Sequence, residues 1–145
     1  MTPTAIGLND QLSAWCSSYI DAFEAFDVSA IGAHWAFPAM IASGDRQIVF
    51  KDVESFNRNT ATLVGFYKEQ DVARVDRVVT GVLQMTEKTA AMQVQDRMFT
   101  SSGSMIVEWV SAYVLRSGTQ GWRAVFADAN GEVSAWAERG TPLGS

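Results

Sequence analysis

The sequence predicts a single α+β domain, and three features of its 145 residues support this class. Apolar residues recur at helical spacing through the first half of the chain. From Val72 onward, β-branched and aromatic residues alternate with polar ones, as they do in strands. The hydrophobic fraction of 48% supplies a packed core for one domain of ordinary size. Helices followed by a run of strands are typical of α+β proteins.

Two helices are expected before the first strand. Asn9 or Asp10 can cap the first helix, because either side chain accepts a free backbone N–H. Asp27 is placed to cap a short second helix that ends before Pro38. The buried face of the first helix is predicted to carry Leu12, Trp15, Cys16, Tyr19, Ile20 and Phe23.

A small hairpin and a third helix follow. Residues 37–43 and 47–50 are predicted to pair across a tight turn at Gly44 and Asp45. Asp52 is placed to cap the third helix. Its buried stripe is predicted to consist of Val53, Phe56, Thr60, Leu63, Val64 and Tyr67.

The second half of the chain is predicted to form four strands, at residues 72–87, 89–100, 105–117 and 120–128. The connections are short enough for hairpins, so these strands should form an antiparallel meander. The domain is expected to span residues 8–132, between a flexible N-terminus at residues 1–7 and a C-terminal tail at residues 133–145.

Composition argues against several classes of partner. Eleven basic against sixteen acidic residues disfavour nucleic acid binding. A single cysteine, Cys16, and a single histidine, His34, leave a transition-metal site short of ligands, so no metal is expected. No segment reaches the ~20 apolar residues of a membrane span. We therefore expect no membrane partner and a cytoplasmic location.

The order of elements resembles the nuclear transport factor 2-like superfamily, in particular its SnoaL-like members. The similarity covers residues 8–132 and is strongest at residues 19–27, at residues 35–38 and at Gly121-Trp122-Arg123, which opens the last strand. The resemblance implies a cone in which three N-terminal helices pack in the concave face of a strongly bent, mostly antiparallel sheet. It implies no single activity, because isomerases, cyclases, dehydratases, hydrolases and non-enzymatic binders share this scaffold.

The ketosteroid isomerases of this superfamily provide a first catalytic pattern for comparison. That resemblance implies a tyrosine, which falls on Tyr19, and two carboxyl groups, which fall on Ser43 and Ser111. A serine without an activating neighbour cannot replace a carboxylate base. Steroid-type isomerisation is therefore disfavoured.

The limonene epoxide hydrolases provide a second pattern, an Asp–Arg–Asp arrangement. Arg97 takes the arginine position, but the acid positions fall on Phe99 and Ala124. The neighbouring Asp96 is expected to point away from the cavity, because side chains alternate along a strand. This pattern is incomplete as well.

The concave face inferred in this way mixes aromatic and hydrogen-bonding side chains, a composition typical of small-molecule sites. We expect a cavity for a small, largely apolar molecule. Its predicted lining is Ser43, Gln93, Gln95, Arg97, Phe99, Val107, Trp109, Ser111, Tyr113, Trp122 and Phe126.

If the protein is an enzyme, the resemblance implies an isomerase, cyclase, dehydratase or hydrolase that works without a cofactor. Arg97 and Tyr19 would polarise an oxygen, and His34 would be the base near neutral pH. Each has a structural alternative: an ion pair for Arg97, core packing for Tyr19 and local helix-end hydrogen bonds for His34. The alternative class is a non-catalytic binding or dimerisation module whose own aromatic side chains fill the cone.

The outer face of the sheet is expected to be apolar and uncovered by helices, which predicts a homodimer through the sheet. Asp96 and Glu108 would share this face and need partners, such as Arg116 or Arg123, across the interface. The apolar residues assigned to it are Met92, Val94, Met98, Ile106, Val110, Ala112 and Val114.

Overall fold

The computed structural model describes residues 7–143, within which the chain forms four helices and one six-stranded sheet. The α+β class is confirmed. The N-terminus predicted to be flexible lies outside the described residues except for Gly7. No helix between residues 7 and 143 is both long and apolar enough to cross a bilayer. The elements are α1 (Leu8–Glu24), α2 (Val28–Gly32), β1 (Trp35–Ser43), β2 (Arg46–Phe50), α3 (Val53–Glu69), β3 (Val72–Thr86), β4 (Thr89–Thr100), β5 (Met105–Gly118), β6 (Gly121–Asp128) and α4 (Asn130–Glu138).

The helix starts follow the predicted capping chemistry in two of three cases. The Asp27 carboxylate accepts the backbone N–H of Ala30 at 3.1 Å, and Asp52 accepts that of Ser55 at 2.9 Å. Helix α1 begins earlier than predicted, after Gly7, so Asn9 and Asp10 lie inside its first turn. An acidic residue there still interacts favourably with the helix dipole.

The six strands lie in the order β2-β1-β6-β5-β4-β3. The meander predicted for the last four strands is confirmed, and the single parallel pair is β1 with β6. Register shifts interrupt the pairing of β3 with β4, β4 with β5 and β5 with β6. Such irregularities bend strands. Helix α1 packs against β3 and α2. Helix α3 packs against α2 and contacts β2 and β3.

Strand β4 faces the opposite way from the prediction. Asp96 pairs across the ladder with the inward-facing Trp109 and is only 2% exposed. Cross-strand partners share a face, so the register is off by one and every side chain changes sides. The physical reason is burial of the apolar set, because the core takes Met92, Val94 and Met98 while Gln93, Gln95, Arg97 and Phe99 face outward.

A fourth helix occupies the region predicted as a tail. Strand β6 ends where Asp128 pairs with Ala112, so β5 continues beyond it, and α4 packs on that extension. A Cβ on Gly131 would lie 2.3 Å from the Val110 carbonyl oxygen, which makes this position specific for glycine. Trp136 is fully buried and meets the Phe66 ring edge-on at 4.9 Å. Helix α4 therefore closes one end of the cone.

Candidate functional site

A cavity of about 360 Å³ lies between the helices and the concave face of the sheet. This volume falls at the lower end of the roughly 300–1,000 Å³ typical of small-molecule sites. The exposed Arg46 and Ile48 of β2 and the exposed Asp128 line its outer part. The aromatic part of its wall consists of Tyr19, Phe23, Trp35, Phe66, Tyr67, Trp109 and Tyr113.

A buried ion pair between Arg77 and Asp96 forms part of the wall. Arg77 Nε donates to Asp96 Oδ1 and Nη2 donates to Oδ2, both at 2.7 Å, and the two side chains are 5% and 3% exposed. The residues are cross-strand neighbours on β3 and β4, which sets this two-pronged geometry. Both oxygens of Asp96 are thus committed to Arg77, so this carboxylate is poorly placed to take a proton from a ligand.

Arg77 is also tied to Tyr113. Its Nη2 donates to Tyr113 Oη at 2.9 Å, and its guanidinium lies 4.9 Å from the centre of that ring. Burial opposes the charge on Arg77, but its electrostatic interactions with Tyr113 and Asp96 and its hydrogen bonds to Asp96 outweigh that effect and raise the pKa of Arg77. Arg77 therefore remains a cation inside the protein.

Glu132 on α4 places a second, partly buried carboxyl group in the cavity wall. Tyr67 of α3 donates its hydroxyl hydrogen to Glu132 Oε2, and Trp136 Nε1 donates to the same oxygen at 3.3 Å. Within residues 7–143, Oε1 receives no hydrogen bond. Burial is the main cause that raises the pKa of Glu132 to about 7; the charge of Asp96 adds to the rise, and the bonds from Tyr67 and Trp136 and the charge of Arg77 oppose it. Glu132 therefore changes charge near neutral pH.

Two tyrosines present hydroxyl donors to the same cavity. Tyr19 Oη accepts Trp35 Nε1–H at 2.9 Å, as Tyr113 Oη accepts from Arg77. A phenol oxygen that accepts a hydrogen bond keeps its own hydrogen for donation. Burial raises the pKa of Tyr19 well above its ordinary value and that of Tyr113 to about 12, so both hydroxyls stay protonated at neutral pH. These phenols can donate to an oxygen on a bound molecule.

Five of the thirteen predicted site residues lie in the cavity wall: Tyr19, Ser43, Trp109, Ser111 and Tyr113. Their positions on α1, β1 and β5 follow the predicted orientation of those elements. The structure brings them together around the Arg77–Asp96 pair.

The predicted residues of β4 lie outside the cavity. Arg97 is half exposed and donates through Nε to Glu108 Oε2 at 3.0 Å on the outer face. Phe99 packs under the guanidinium of Arg74, 4.0 Å from the ring centre. Gln95 shares this face. The prediction that they line the cavity is wrong, for the reason of register given above.

Four further predicted residues do not line the cavity: Val107, Phe126, His34 and Trp122. His34 is placed at the end of α2, where Nδ1 bonds the Ala30 carbonyl oxygen at 2.7 Å and Nε2 bonds Ser18 Oγ at 2.8 Å. This is the local helix-end arrangement given above as its alternative. Trp122 donates from Nε1 to Gln11 Oε1 at 2.7 Å on the other side of α1.

The sequence analysis missed the charged residues of the site. Asp96 interrupts a buried alternation of Met92, Val94 and Met98, a pattern that could have placed its side chain inside. Arg77 would then have been sought as its partner on the adjoining strand. Glu132 left no comparable signal, because Trp136 is the only buried residue of α4.

The site holds no obvious place for a metal ion. Among residues 7–143, no three His, Cys, Asp or Glu side chains converge as ligands. The polar chemistry of the cavity therefore rests on Glu132, the two phenols and the Arg77–Asp96 pair.

Comparison with known proteins connects this fold to one family. A family model described as NTF2-like protein (DUF6841) matches residues 10–131. No curated protein matches the sequence.

Solved structures share the fold at low sequence identity. A domain of unknown function with a cystatin-like fold from Nostoc punctiforme PCC 73102 is 16% identical, with a TM-score of 0.67 over 86% of this chain and 77% of that one. An NTF-2 like protein of unknown function from Shewanella oneidensis MR-1 is 9% identical, with a TM-score of 0.65 over 83% and 96%. A ketosteroid isomerase-like protein from Erwinia carotovora atroseptica SCRI1043 is 18% identical, with a TM-score of 0.58 over 81% and 91%.

Proposed function

The chain belongs to the NTF2-like family DUF6841, and from the chemistry of its cavity we propose that it is a cofactor-independent enzyme that moves a proton on a small, largely apolar carbonyl compound. The observation that carries this proposal is the free Oε1 of Glu132 in the same cavity as two phenol donors. Proton abstraction next to a carbonyl needs both a base and donors for the oxygen that becomes negative. The reaction class is isomerisation or dehydration.

Glu132 is the base in this scheme. A general base works best when its pKa lies near the operating pH, and burial brings that of Glu132 to about 7. Tyr67 and Trp136 hold Oε2, which fixes the carboxyl plane and leaves Oε1 to accept the proton. Asp96 is excluded from this role because Arg77 occupies both of its oxygens.

Tyr19 and Tyr113 stabilise the oxyanion. Each phenol accepts an N–H bond, from Trp35 and from Arg77 respectively, which polarises the remaining O–H toward the ligand. The cationic Arg77 behind Tyr113 strengthens that donor further. Because these donors are already held in place, stabilising the oxyanion costs no reorganisation of the site during the reaction. The likeness in fold to the ketosteroid isomerase-like protein agrees with this reaction class.

Deuterium exchange tests the proposal without knowledge of the natural substrate. β-Tetralone, an uncharged bicyclic ketone, is incubated with the protein in deuterium oxide, and NMR follows exchange of the hydrogens next to its carbonyl. We expect the wild-type protein to accelerate exchange and the rate to rise with pH through about 7, because the base must be ionised. Glu132→Gln should lower the rate at least about a hundredfold.

The exposed Glu138 on the same helix supplies the matched control. Glu138→Gln should exchange β-tetralone at the wild-type rate, and Tyr19→Phe should lose about a hundredfold through the missing oxyanion donor. Equal rates in wild type and Glu132→Gln, with both folded by circular dichroism, would refute the assignment of the base.

For the assembly we propose a homodimer through the outer face of the sheet. Val78 and Val110 are 56% and 49% exposed on this face. Asp96 lies in the cavity rather than on this face, and Glu108 is paired with Arg97 on the face itself, so neither needs a charge supplied across an interface. Sedimentation equilibrium should give twice the chain mass, and Val110→Lys should give the chain mass. A wild-type monomer would refute the dimer, and a dimer without proton exchange would favour a non-catalytic dimerisation module.

A further inference from the structure

Among residues 7–143, no cation forms an ion pair with Glu132, so its carboxylate has no direct counter-charge once it is ionised. The exposed Arg46 and the exposed Asp128 lie at the outer part of the same cavity and carry opposite charges. Arg77 on β3 is matched by Asp96 on β4 at 2.7 Å, so that pair is neutral as a unit. The other titratable groups toward Glu132 are phenols: Tyr67 on α3, Tyr113 on β5 and, further away, Tyr19 on α1. Strand β1, which also touches α4, has no titratable side chain.

A partly buried carboxylate held only by neutral donors is an incomplete site. Tyr67 and Trp136 satisfy one oxygen of Glu132 but supply no positive charge. Leaving a carboxylate without a counter-charge in a low-dielectric cavity is costly, so the ionised form gains from any cation that reaches Oε1. The mouth between β2, α3 and α4 provides the route to it.

The surrounding walls favour an organic cation over a hydrated metal ion. Phe23, Phe66, Tyr67 and Trp109 present aromatic surface to the cavity. The faces of such rings attract ammonium groups and their edges and faces cover attached hydrocarbon. A metal ion would need several further oxygen or nitrogen ligands, which residues 7–143 do not bring together here.

We propose that this cavity binds a compact organic cation, an amine or quaternary ammonium compound, with its nitrogen against Glu132 Oε1 and its hydrocarbon part against the aromatic wall. The proposal shares with the proposed function only the placement of Glu132 in the cavity wall with Oε2, not Oε1, bonded to Tyr67 and Trp136, and it does not depend on turnover. Such a cation neutralises the base and therefore inhibits any proton transfer by Glu132. Carboxylate ligands are disfavoured, because the three acidic residues of the wall (Asp96, Asp128 and Glu132) outnumber the two basic ones (Arg46 and Arg77).

Binding of the cation is linked to loss of a proton from Glu132. The carboxyl group must ionise to form the pair, and burial holds its pKa at about 7 in the free protein. A permanently charged ligand should therefore bind about tenfold more tightly at pH 8 than at pH 6, as the ionised fraction of Glu132 rises. Binding near pH 7 should release protons to the buffer.

Titration calorimetry with benzyltrimethylammonium tests this inference, because that cation has no titrating group of its own. We expect the tenfold gain between pH 6 and pH 8 in the wild-type protein and in Glu138→Gln. Benzyl alcohol, a neutral aromatic of similar shape, should bind equally at both pH values. Sodium phenylacetate should bind more weakly than benzyl alcohol.

Glu132→Gln should bind benzyltrimethylammonium with no pH dependence and about tenfold more weakly than the wild type at pH 8. Equal wild-type affinity at both pH values, or an unchanged gain in Glu132→Gln, would overturn the proposal. The comparison of wild-type affinities at pH 6 and pH 8 uses no variant. It therefore still tests the proposal if Glu132→Gln fails to fold. If the protein exchanges β-tetralone but does not bind the cation, this inference is rejected and the proposed function stands. If it binds the cation but does not exchange β-tetralone, the proposed function is rejected and this inference stands.

Discussion

Two carboxyl groups share one cavity, Asp96 fully buried and Glu132 partly buried, but they have opposite surroundings. Asp96 on β4 meets a guanidinium with both oxygens, whereas Glu132 on α4 meets only a phenol and an indole with one oxygen. The first group has its counter-charge within the protein, and the second does not. Burial raises the pKa of Glu132 to about 7, and no cation bonds to its carboxylate to reverse that shift, so Glu132 can change charge near pH 7.

Breaking the Asp96 side of this comparison should have the largest effect. Asp96→Asn leaves the Arg77 guanidinium buried without a counter-charge, so we expect the free energy of unfolding to fall by about 3–5 kcal/mol. Urea denaturation measures the loss. Replacing both residues with apolar ones of similar size should recover most of it, and a loss under about 1 kcal/mol in the single variant would contradict the internal pairing.

The pH dependence of the free energy of unfolding tests the surroundings of Glu132. Its pKa is raised from 4.5 to about 7 on folding, so its contribution is fully present below pH 4.5 and is lost as pH rises through 7. The wild-type free energy of unfolding should therefore fall by up to about 3 kcal/mol over this range relative to Glu132→Gln. Urea titrations of both proteins between pH 4 and pH 8 measure the difference, and parallel pH profiles would refute it.

The placement of Glu132 depends on the close approach of α4 to β5. Gly131→Ala would put a methyl group 2.3 Å from the Val110 carbonyl oxygen, which is backbone and cannot turn aside. We expect a loss of about 1–3 kcal/mol and a lower rate of β-tetralone exchange.

Gly65 in α3 provides the control, because its added methyl group would meet nothing within 4 Å. Gly65→Ala should leave exchange unchanged and stabilise the protein by up to about 1 kcal/mol in thermal unfolding. Equal behaviour of the two alanine variants would show that α4 is not held at Gly131.

The smallest effect is expected outside the cavity. Arg97 and Glu108 are 46% and 47% exposed, and exposed ion pairs contribute under about 1 kcal/mol. Arg97→Ala should therefore change the free energy of unfolding by less than that and leave β-tetralone exchange at the wild-type rate. A large loss of exchange would place Arg97 in the site after all.

The fold was largely predictable because its signals are local. The caps Asp27 and Asp52 and the short turns between strands each act within a few residues of the chain. The alternation on β5 also placed Trp109, Ser111 and Tyr113 correctly, because no competing pattern crosses that strand.

The charged part of the site was not predictable in the same way. The resemblance to limonene epoxide hydrolases predicted that Arg97 points into the cavity. The alternation of apolar residues around Asp96 favoured the opposite register. Helix α4 has one buried residue, Trp136, and its position depends on Gly131 fitting against a distant strand. Glu132 therefore became visible only through tertiary packing.

Glu132 is expected to be the cavity group that titrates near neutral pH. Carbon-13 NMR of the side-chain carboxyl groups, with Glu132 assigned by its disappearance in Glu132→Gln, tests it directly. We expect a titration midpoint of about 7 for this signal. A midpoint near the ordinary 4.5 of a glutamate would contradict it.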